Sequence, residues 1–312
     1  MSQMNNPNSP ALPNLNMHSS ADDELFDPPR EIPDAEIYNF IPRDHVFYFK
    51  NTQTSWRMGV IQAEKFRIHA HERFGHTKDV SSVCVATQVE GPSPGTKAVL
   101  KIKAQVAPWT GDTSCANYLP ITQEIHRELS VLAKLTEGGC SSTPRFIDFL
   151  AFEQDDDDPV PDGYFVVFLL EKLPGLNLGR TFSEFSLEKR NRVRIAFAKA
   201  LREFYSFRLF HHDPARRNII WDERTERCFI VDLEDVEERD HPVFSTRHFD
   251  PWKDFKYWEL CSGELDTDEA NYDPMVPGPH EELEDTDEAL YALAARTKHI
   301  SKPDGNVATK VK

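Results

Sequence analysis

What the 312-residue sequence lacks narrows its reading first. No two of its five cysteines, Cys84, Cys115, Cys140, Cys228 and Cys261, stand as C-x-x-C, and their number is odd. That argues against a disulfide framework or a zinc site of paired thiolates. It favours reduced thiols in an intracellular setting, cytoplasmic or nuclear. The N-terminus, "MSQMNNPNSPALPNLN", has neither the basic start nor the apolar stretch of a signal peptide. The longest apolar run, "YFVVFLL" from Tyr164 to Leu170, is far too short to span a bilayer, so no membrane partner is expected. No strong basic patch relieves a formal net charge of -16, and nucleic acid is not an expected partner either. Lys189, Arg190, Arg192 and Arg194 are close together, but a helix spreads them around its polar side. No internal repeat is present. The sequence does not indicate an oligomeric state.

What is present divides the chain. Residues 1–34 are rich in Asn, Pro and Ser and predict disorder. Aromatics begin in "AEIYNFIPRDHVFYF", where order is expected to start. From Glu64 to Lys103 the segments "EKFRIHA", "SSVCVATQV" and "KAVLKIKAQV" read as antiparallel strands, the last two joined by a hairpin at "EGPSPGT". In "ITQEIHRELSVLAKL" the spacing of Ile121, Ile125, Leu129 and Leu132 predicts a helix. "PRFIDFLAF" and "YFVVFLLEKL" read as strands. "SLEKRNRVRIAFAKALREFYSF" is the strongest helix, with Ser186 as its cap. "NIIWD" and "CFIVDLE" read as short strands. Residues 265–312 are acidic and sparse and read as a largely disordered tail, mostly loop, with at most a short helix at "DEALYALAAR". The expected class is α+β.

One polar stretch invites a chemical reading. "FHHDPARRNIIW" places Asp213 and Asn218 five residues apart in a loop after the long helix, and Asp232 follows beyond a short hairpin. Three oxygen-bearing side chains brought to one point suit Mg²⁺, a hard cation. A carboxylate that orients a hydroxyl beside them is what phosphoryl transfer needs.

These residues resemble motifs of the protein-kinase-like superfamily. "HHDPARRN" is similar to the H-x-D-x-x-x-x-N catalytic loop, and "VDLE" to D-F-G with Asp232 as its metal-binding residue. "AVLK" is similar to the V-A-I-K strand, which assigns Lys101 to nucleotide phosphates, and Glu128 matches the helix glutamate that pairs with that lysine. "LLEKLPG" resembles the hinge, with Glu171 and Leu173 at adenine. The resemblance covers residues 66–236. Glu234 stands where the glycine of D-F-G belongs, as in choline-kinase-like, aminoglycoside-phosphotransferase-like and fungal kinase-like proteins. Gly75 stands alone where the family often has three glycines, and the A-P-E motif is absent.

The resemblance implies a two-lobed fold: a small antiparallel-sheet lobe with its N-terminal extension over residues 35–173, and a truncated, mainly helical lobe over 174–264. It implies an ATP-dependent phosphotransferase acting on an unidentified hydroxyl acceptor, with ATP and Mg²⁺ as cofactors. Asp213 and Lys101 are its catalytic residues, and Asn218 and Asp232 its metal ligands. A kinase-like binding module without chemistry is the alternative, motivated by the missing glycines. Lys103, on the same strand face as Lys101, reads as solvated, and Glu124 is the rival to Glu128. His211 reads as structural. Arg216 and Arg217 read as holding phosphate or balancing local acid, and equally as solvated. His69, His71 and His76 suggest zinc only weakly, without a Cys pair or an HExxH motif. Asp155 to Asp158 read as a solvated loop.

Overall fold

A run of strands, Thr54–His71, Gly75–Glu90 and Lys97–Val106, makes up most of the largest sheet of the structure. The computed structural model describes residues 31–71, 75–106, 121–239, 249–261 and 286–300. Strands β1 (Val46–Phe49), β2 (Thr54–His71), β3 (Gly75–Glu90), β4 (Lys97–Val106), β5 (Phe146–Glu153) and β6 (Tyr164–Glu171) form one antiparallel sheet in the order β1-β2-β3-β4-β6-β5. The expected hairpin is there: Gln88 and Thr96 close the β3–β4 turn through an N–H···O bond of 2.9 Å.

The sheet curls on itself. β2 carries register irregularities between Met58 and Ala63, and bulges of this kind increase local twist. Gly59 lies there, where an added Cβ would sit 2.5 Å from the Val85 carbonyl oxygen. The two edges of the sheet approach each other. In the turn after β1, Asn51 Nδ2 and the Thr52 amide each donate to the Asp148 carboxylate of β5 at 2.9 Å. One face buries Phe49, Met58, Leu100, Ile102 and Leu169 with Ile37 of the preceding segment.

Residues on the opposite face pack against helices. Helix α1 (Gln123–Glu137) begins at Thr122, whose hydroxyl accepts from the Ile125 amide, and buries Ile125, Glu128, Val131, Leu132 and Leu135. After β6 the chain forms β7 (Leu176–Asn177), a single turn α2 (Leu178–Thr181) and the long helix α3 (Leu187–Ser206), capped by Ser186 as expected. Then come β8 (Leu209–His211), β9 (Ile219–Asp222), β10 (Arg227–Ile230), β11 (Val236–Glu238), α4 (Pro251–Tyr257) and α5 (Asp287–Ile300). No helix among the described residues is long and apolar enough to cross a membrane.

Three expectations need correction or fall elsewhere. The kinase-like fold of a small sheet lobe and a mainly helical lobe is not found. The six-stranded, curled sheet dominates, and the chain after Pro174 adds two more sheets, ordered β10-β9-β7 and β11-β8. Of its described helices, only α3 and α5 exceed two turns. Nor does the core divide there: Phe168 and Leu170 of β6 share one buried cluster with Leu132 of α1, Phe197 and Leu201 of α3 and Trp221 of β9. The apolar stripe of α3 signalled a helix but not what it packs on. Second, Arg194 is fully buried and not on a polar face, with Nε donating to the Leu260 carbonyl at 2.7 Å and Nη1 to Asn191 Oδ1 at 2.8 Å. Third, of the segment 1–34 expected to be disordered, residues 1–30 lie outside the described residues, as do the side chains of His69, His71 and His76, whereas the Ile32 amide donates to the Ile61 carbonyl at 2.8 Å.

Candidate functional site

β4 sends Lys101 and Lys103 from one strand face toward α1, and Glu128 of α1 meets both. Its Oε1 accepts from Lys101 Nζ and its Oε2 from Lys103 Nζ, each at 2.6 Å. All three side chains are buried, with 7%, 5% and 1% exposure for Lys101, Lys103 and Glu128. Lys103 is therefore not the solvated strand lysine the sequence suggested. A buried ammonium needs a counter-charge, and both lysines draw on the same carboxylate.

The second half of the site comes from the chain after β10. Asp232 has φ 61° and ψ 61°, in the left-handed region that Asp tolerates better than most residues. It opens a 3₁₀ turn over Leu233–Asp235. Its Oδ1 accepts from Lys101 Nζ at 2.8 Å and its Oδ2 from Lys65 Nζ of β2 at 3.0 Å. Glu234, itself buried, pairs with Lys65 and with Arg67 Nη2 at 2.6 Å. Its other oxygen stands 3.0 Å from Lys103 Nζ and 3.2 Å from Lys101 Nζ. Arg67 also reaches Asp235 Oδ2 at 2.8 Å. Four cations from two strands thus face four carboxylates from α1 and one turn.

The charges hold one another. Burial pushes the Lys101 ammonium down, but Glu128, Asp232 and Glu234 overcome it and hold the group well above the lysine range. Burial pushes Asp232 and Glu234 up. Lys101 with Lys65 overcomes it at Asp232, and Lys101 with Lys103 at Glu234, so both carboxyls lie well below the usual carboxylate range. One oxygen each of Glu128, Asp232 and Glu234 lie within 4.8 Å of one another, a set that could hold a metal ion. The donors are hard oxygens, as Mg²⁺ requires. Each of these carboxylates is already paired with cations, Asp232 with Lys101 and Lys65. The Lys65 ammonium, on a side chain 42% exposed, must leave Oδ2 for a metal to bind there.

Asp213 and Asn218 form a second group. Asn218 is buried, and its Nδ2 donates to the Asp213 carbonyl at 2.8 Å and to Asp213 Oδ2 at 3.3 Å. Arg217 Nη2 lies 2.6 and 2.7 Å from the two carboxylate oxygens of Asp213, so Arg217 is an ion-pair partner and not simply solvated. His211 has the structural role read from the sequence. Its Nδ1 accepts from the Asp213 amide at 3.2 Å, Nε2 lies 3.4 Å from the Val231 carbonyl, and burial pushes the ring's pKa down. Backbone bonds tie the groups together: Val231 N–H donates to Asn218 O at 2.9 Å, His212 N–H to Asp235 O at 2.8 Å, and β8 pairs with β11.

Of the residues singled out from the sequence, Lys101, Glu128 and Asp232 touch directly, and Asp213 and Asn218 touch each other. Glu171 pairs in register with Ala98 and accepts from the Arg145 amide at 3.1 Å, while Leu173 is buried nearby in sequence. Neither hydrogen-bonds to the two groups in the described contacts. Sequence reasoning missed Lys65 and Arg67. The signal was the alternation in "EKFRIHA", which separates two faces without saying which points inward. The charged face turns in, leaving Phe66 43% and Ile68 67% exposed. The sequence matches no protein-family model, and no match is found among curated proteins either.

Proposed function

We propose that the chain is an ATP-dependent phosphotransferase that moves the γ-phosphate of ATP to a hydroxyl acceptor. The observation that carries this reading is the Lys101 ammonium shared between Glu128 at 2.6 Å and Asp232 at 2.8 Å. A charged lysine whose direction is fixed by a buried glutamate suits phosphate oxygens, for which Lys101 would exchange its bond to Asp232. The reading rests on these side chains and not on the overall fold.

In this scheme Lys101 contacts the α- and β-phosphates and Glu128 fixes its direction. Asp232 and Asn218 are the residues that would hold Mg²⁺, which when bound neutralises charge on the phosphates. Asp213 orients the acceptor hydroxyl and takes its proton as the new O–P bond forms and the bond to the β-phosphate oxygen breaks, releasing ADP. Glu171 and Leu173 flank adenine. The thiols Cys84, Cys140 and Cys228 are buried and free, and burial pushes Cys84 up to about 12, which suits an intracellular setting, cytoplasmic or nuclear.

A second reading, nucleotide binding without transfer, is favoured by Arg217, which engages both oxygens of the proposed base. Phosphate transfer from Mg²⁺-ATP to a panel of alcohols, amino sugars and hydroxyl peptides separates the two. Transfer that falls about 10²-fold or more in Asp213→Asn supports the enzyme. Nucleotide binding with no transfer to any acceptor supports the binding module.

A further inference from the structure

Two strands bring cations into line on one sheet face, with a serine of the strand between them. The register pairs Lys65 with Ser81 across β2 and β3, and Ser81 with Lys103 across β3 and β4. Residues paired in this way present their side chains on the same face, and so do residues two apart on a strand. Lys101 and Arg67 therefore flank that row. Lys101 and Lys103 are enclosed, whereas Lys65 and Arg67 keep 42% and 27% of their side-chain exposure. The outer pair borders solvent and the inner pair is locked.

Two observations at this row point beyond mutual neutralisation. The Ser81 hydroxyl is buried between the two lysine strands and has no hydrogen-bond partner among the described residues. Buried hydroxyls are ordinarily satisfied, so this oxygen is a donor and acceptor awaiting a group. The facing of β2 is the second. Turning Lys65 and Arg67 inward leaves Phe66 and Ile68 exposed, although a one-residue slip would reverse every side chain of the strand. Burial of apolar surface alone does not select that register.

We propose that Lys65, Arg67 and Ser81 form a side-chain clamp for the β- and γ-phosphates of the nucleotide, in place of backbone amides of a glycine-rich loop. The proposal rests on the phosphotransferase reading and extends it to named residues on β2 and β3. A polyphosphate presents several anionic oxygens, each able to accept from Lys65, Arg67 or the Ser81 hydroxyl. Without ligand, Lys65 and Arg67 rest on Asp232, Glu234 and Asp235. With it, they transfer to phosphate oxygens, and Asp232 Oδ2, which Lys65 held, is released for a cation, a step that leaves Oδ1 with Lys101.

The test is calorimetric titration of the full chain with three probes in Mg²⁺: ATP, inorganic tripolyphosphate and adenosine. The variants are Lys65→Met, Arg67→Met, Ser81→Ala and the charge-keeping Lys65→Arg, each checked for an intact thermal transition. The clamp predicts that Lys65→Met and Arg67→Met each weaken ATP and tripolyphosphate about tenfold or more, the effect of losing a charge-assisted bond. Adenosine affinity stays constant, and Lys65→Arg restores most of the loss. If Lys65→Met does not fold, Arg67→Met and Ser81→Ala carry the same comparison. Unchanged ATP affinity in folded variants, with ATP binding still lost in Asp232→Ala, overturns the clamp and leaves the phosphotransferase reading standing. Tripolyphosphate binding that needs Lys65, with no binding of adenosine and no preference for ATP, supports the clamp and removes ATP as its ligand. A wild-type chain that binds none of the probes overturns both.

Discussion

Removing the Glu128 carboxylate measures how far the cation–carboxylate cluster depends on balanced charge. In Glu128→Ala, Lys101 keeps Asp232 at 2.8 Å and Glu234 at 3.2 Å, and Lys103 keeps Glu234 at 3.0 Å. Four cations then face three carboxylates, and the uncompensated charge lies among side chains only 5–7% exposed. Breaking a buried pair by deleting one partner costs about 3–5 kcal/mol. The surviving carboxylates place the expected loss near the lower end, about 3 kcal/mol. For a protein of this size the melting temperature falls by about 2 °C per kcal/mol, so a drop of about 6 °C is expected by scanning calorimetry. Glu128→Leu combined with Lys103→Met removes a charge of each sign. It should recover at least about 1 kcal/mol over the sum of the single changes. A loss below about 1 kcal/mol, or strictly additive single changes, would refute the claim that Glu128 neutralises both lysines.

Other consequences follow from the same structure. Asp232 and Glu234 are held below the ordinary carboxylate range, so their stabilisation is complete above about pH 4 and is lost as pH falls through their lower folded-state values. Urea melts at about pH 6 and about pH 3 should show that loss, and Asp232→Asn with Glu234→Gln should make the difference smaller. The Tyr164 hydroxyl donates to Asp79 Oδ2 at 2.8 Å in the interior, so Tyr164→Phe should destabilise by about 1.5–3 kcal/mol in the same melts. Gly175 has φ 105°, and a Cβ there would lie 2.4 Å from the Trp221 carbonyl oxygen. Gly175→Ala should therefore lower the stability measured in urea melts by more than the ~1 kcal/mol that a compatible site would gain.

Much of the local structure was legible because it follows from neighbouring residues. The cap Ser186, the periodicity of α1 and α3 and the turn at "EGPSPGT" are short-range signals, and each has its expected counterpart. The pairing of Lys101 with Glu128 was anticipated from motif order, whereas Asp232, expected beside Asp213 and Asn218, hydrogen-bonds instead to Lys101 and Lys65. The architecture was not. β2 begins at Thr54, ten residues before the alternation at Glu64 drew notice, because bulges near Gly59 interrupt the period of two that marks a strand. Strands β8 and β11 are three residues each and stable only as partners, so no local pattern announces them. Arg194 and Lys103 read as surface residues because burial of a cation depends on distant partners, Leu260 and Glu128. Lys65 and Arg67 were missed for the same reason: their carboxylates lie more than 160 residues away along the chain.

The central claim, a Mg²⁺-dependent nucleotide site built on Lys101 and Asp232, is tested most directly by thermal stability in ATP with and without Mg²⁺. At ligand one hundred times above Kd, binding adds about 2.7 kcal/mol, or about 5 °C here. The account predicts that rise with Mg²⁺-ATP in the wild-type chain and its disappearance in Asp232→Ala. A melting temperature unmoved by millimolar Mg²⁺-ATP, or moved equally in Asp232→Ala, would contradict it.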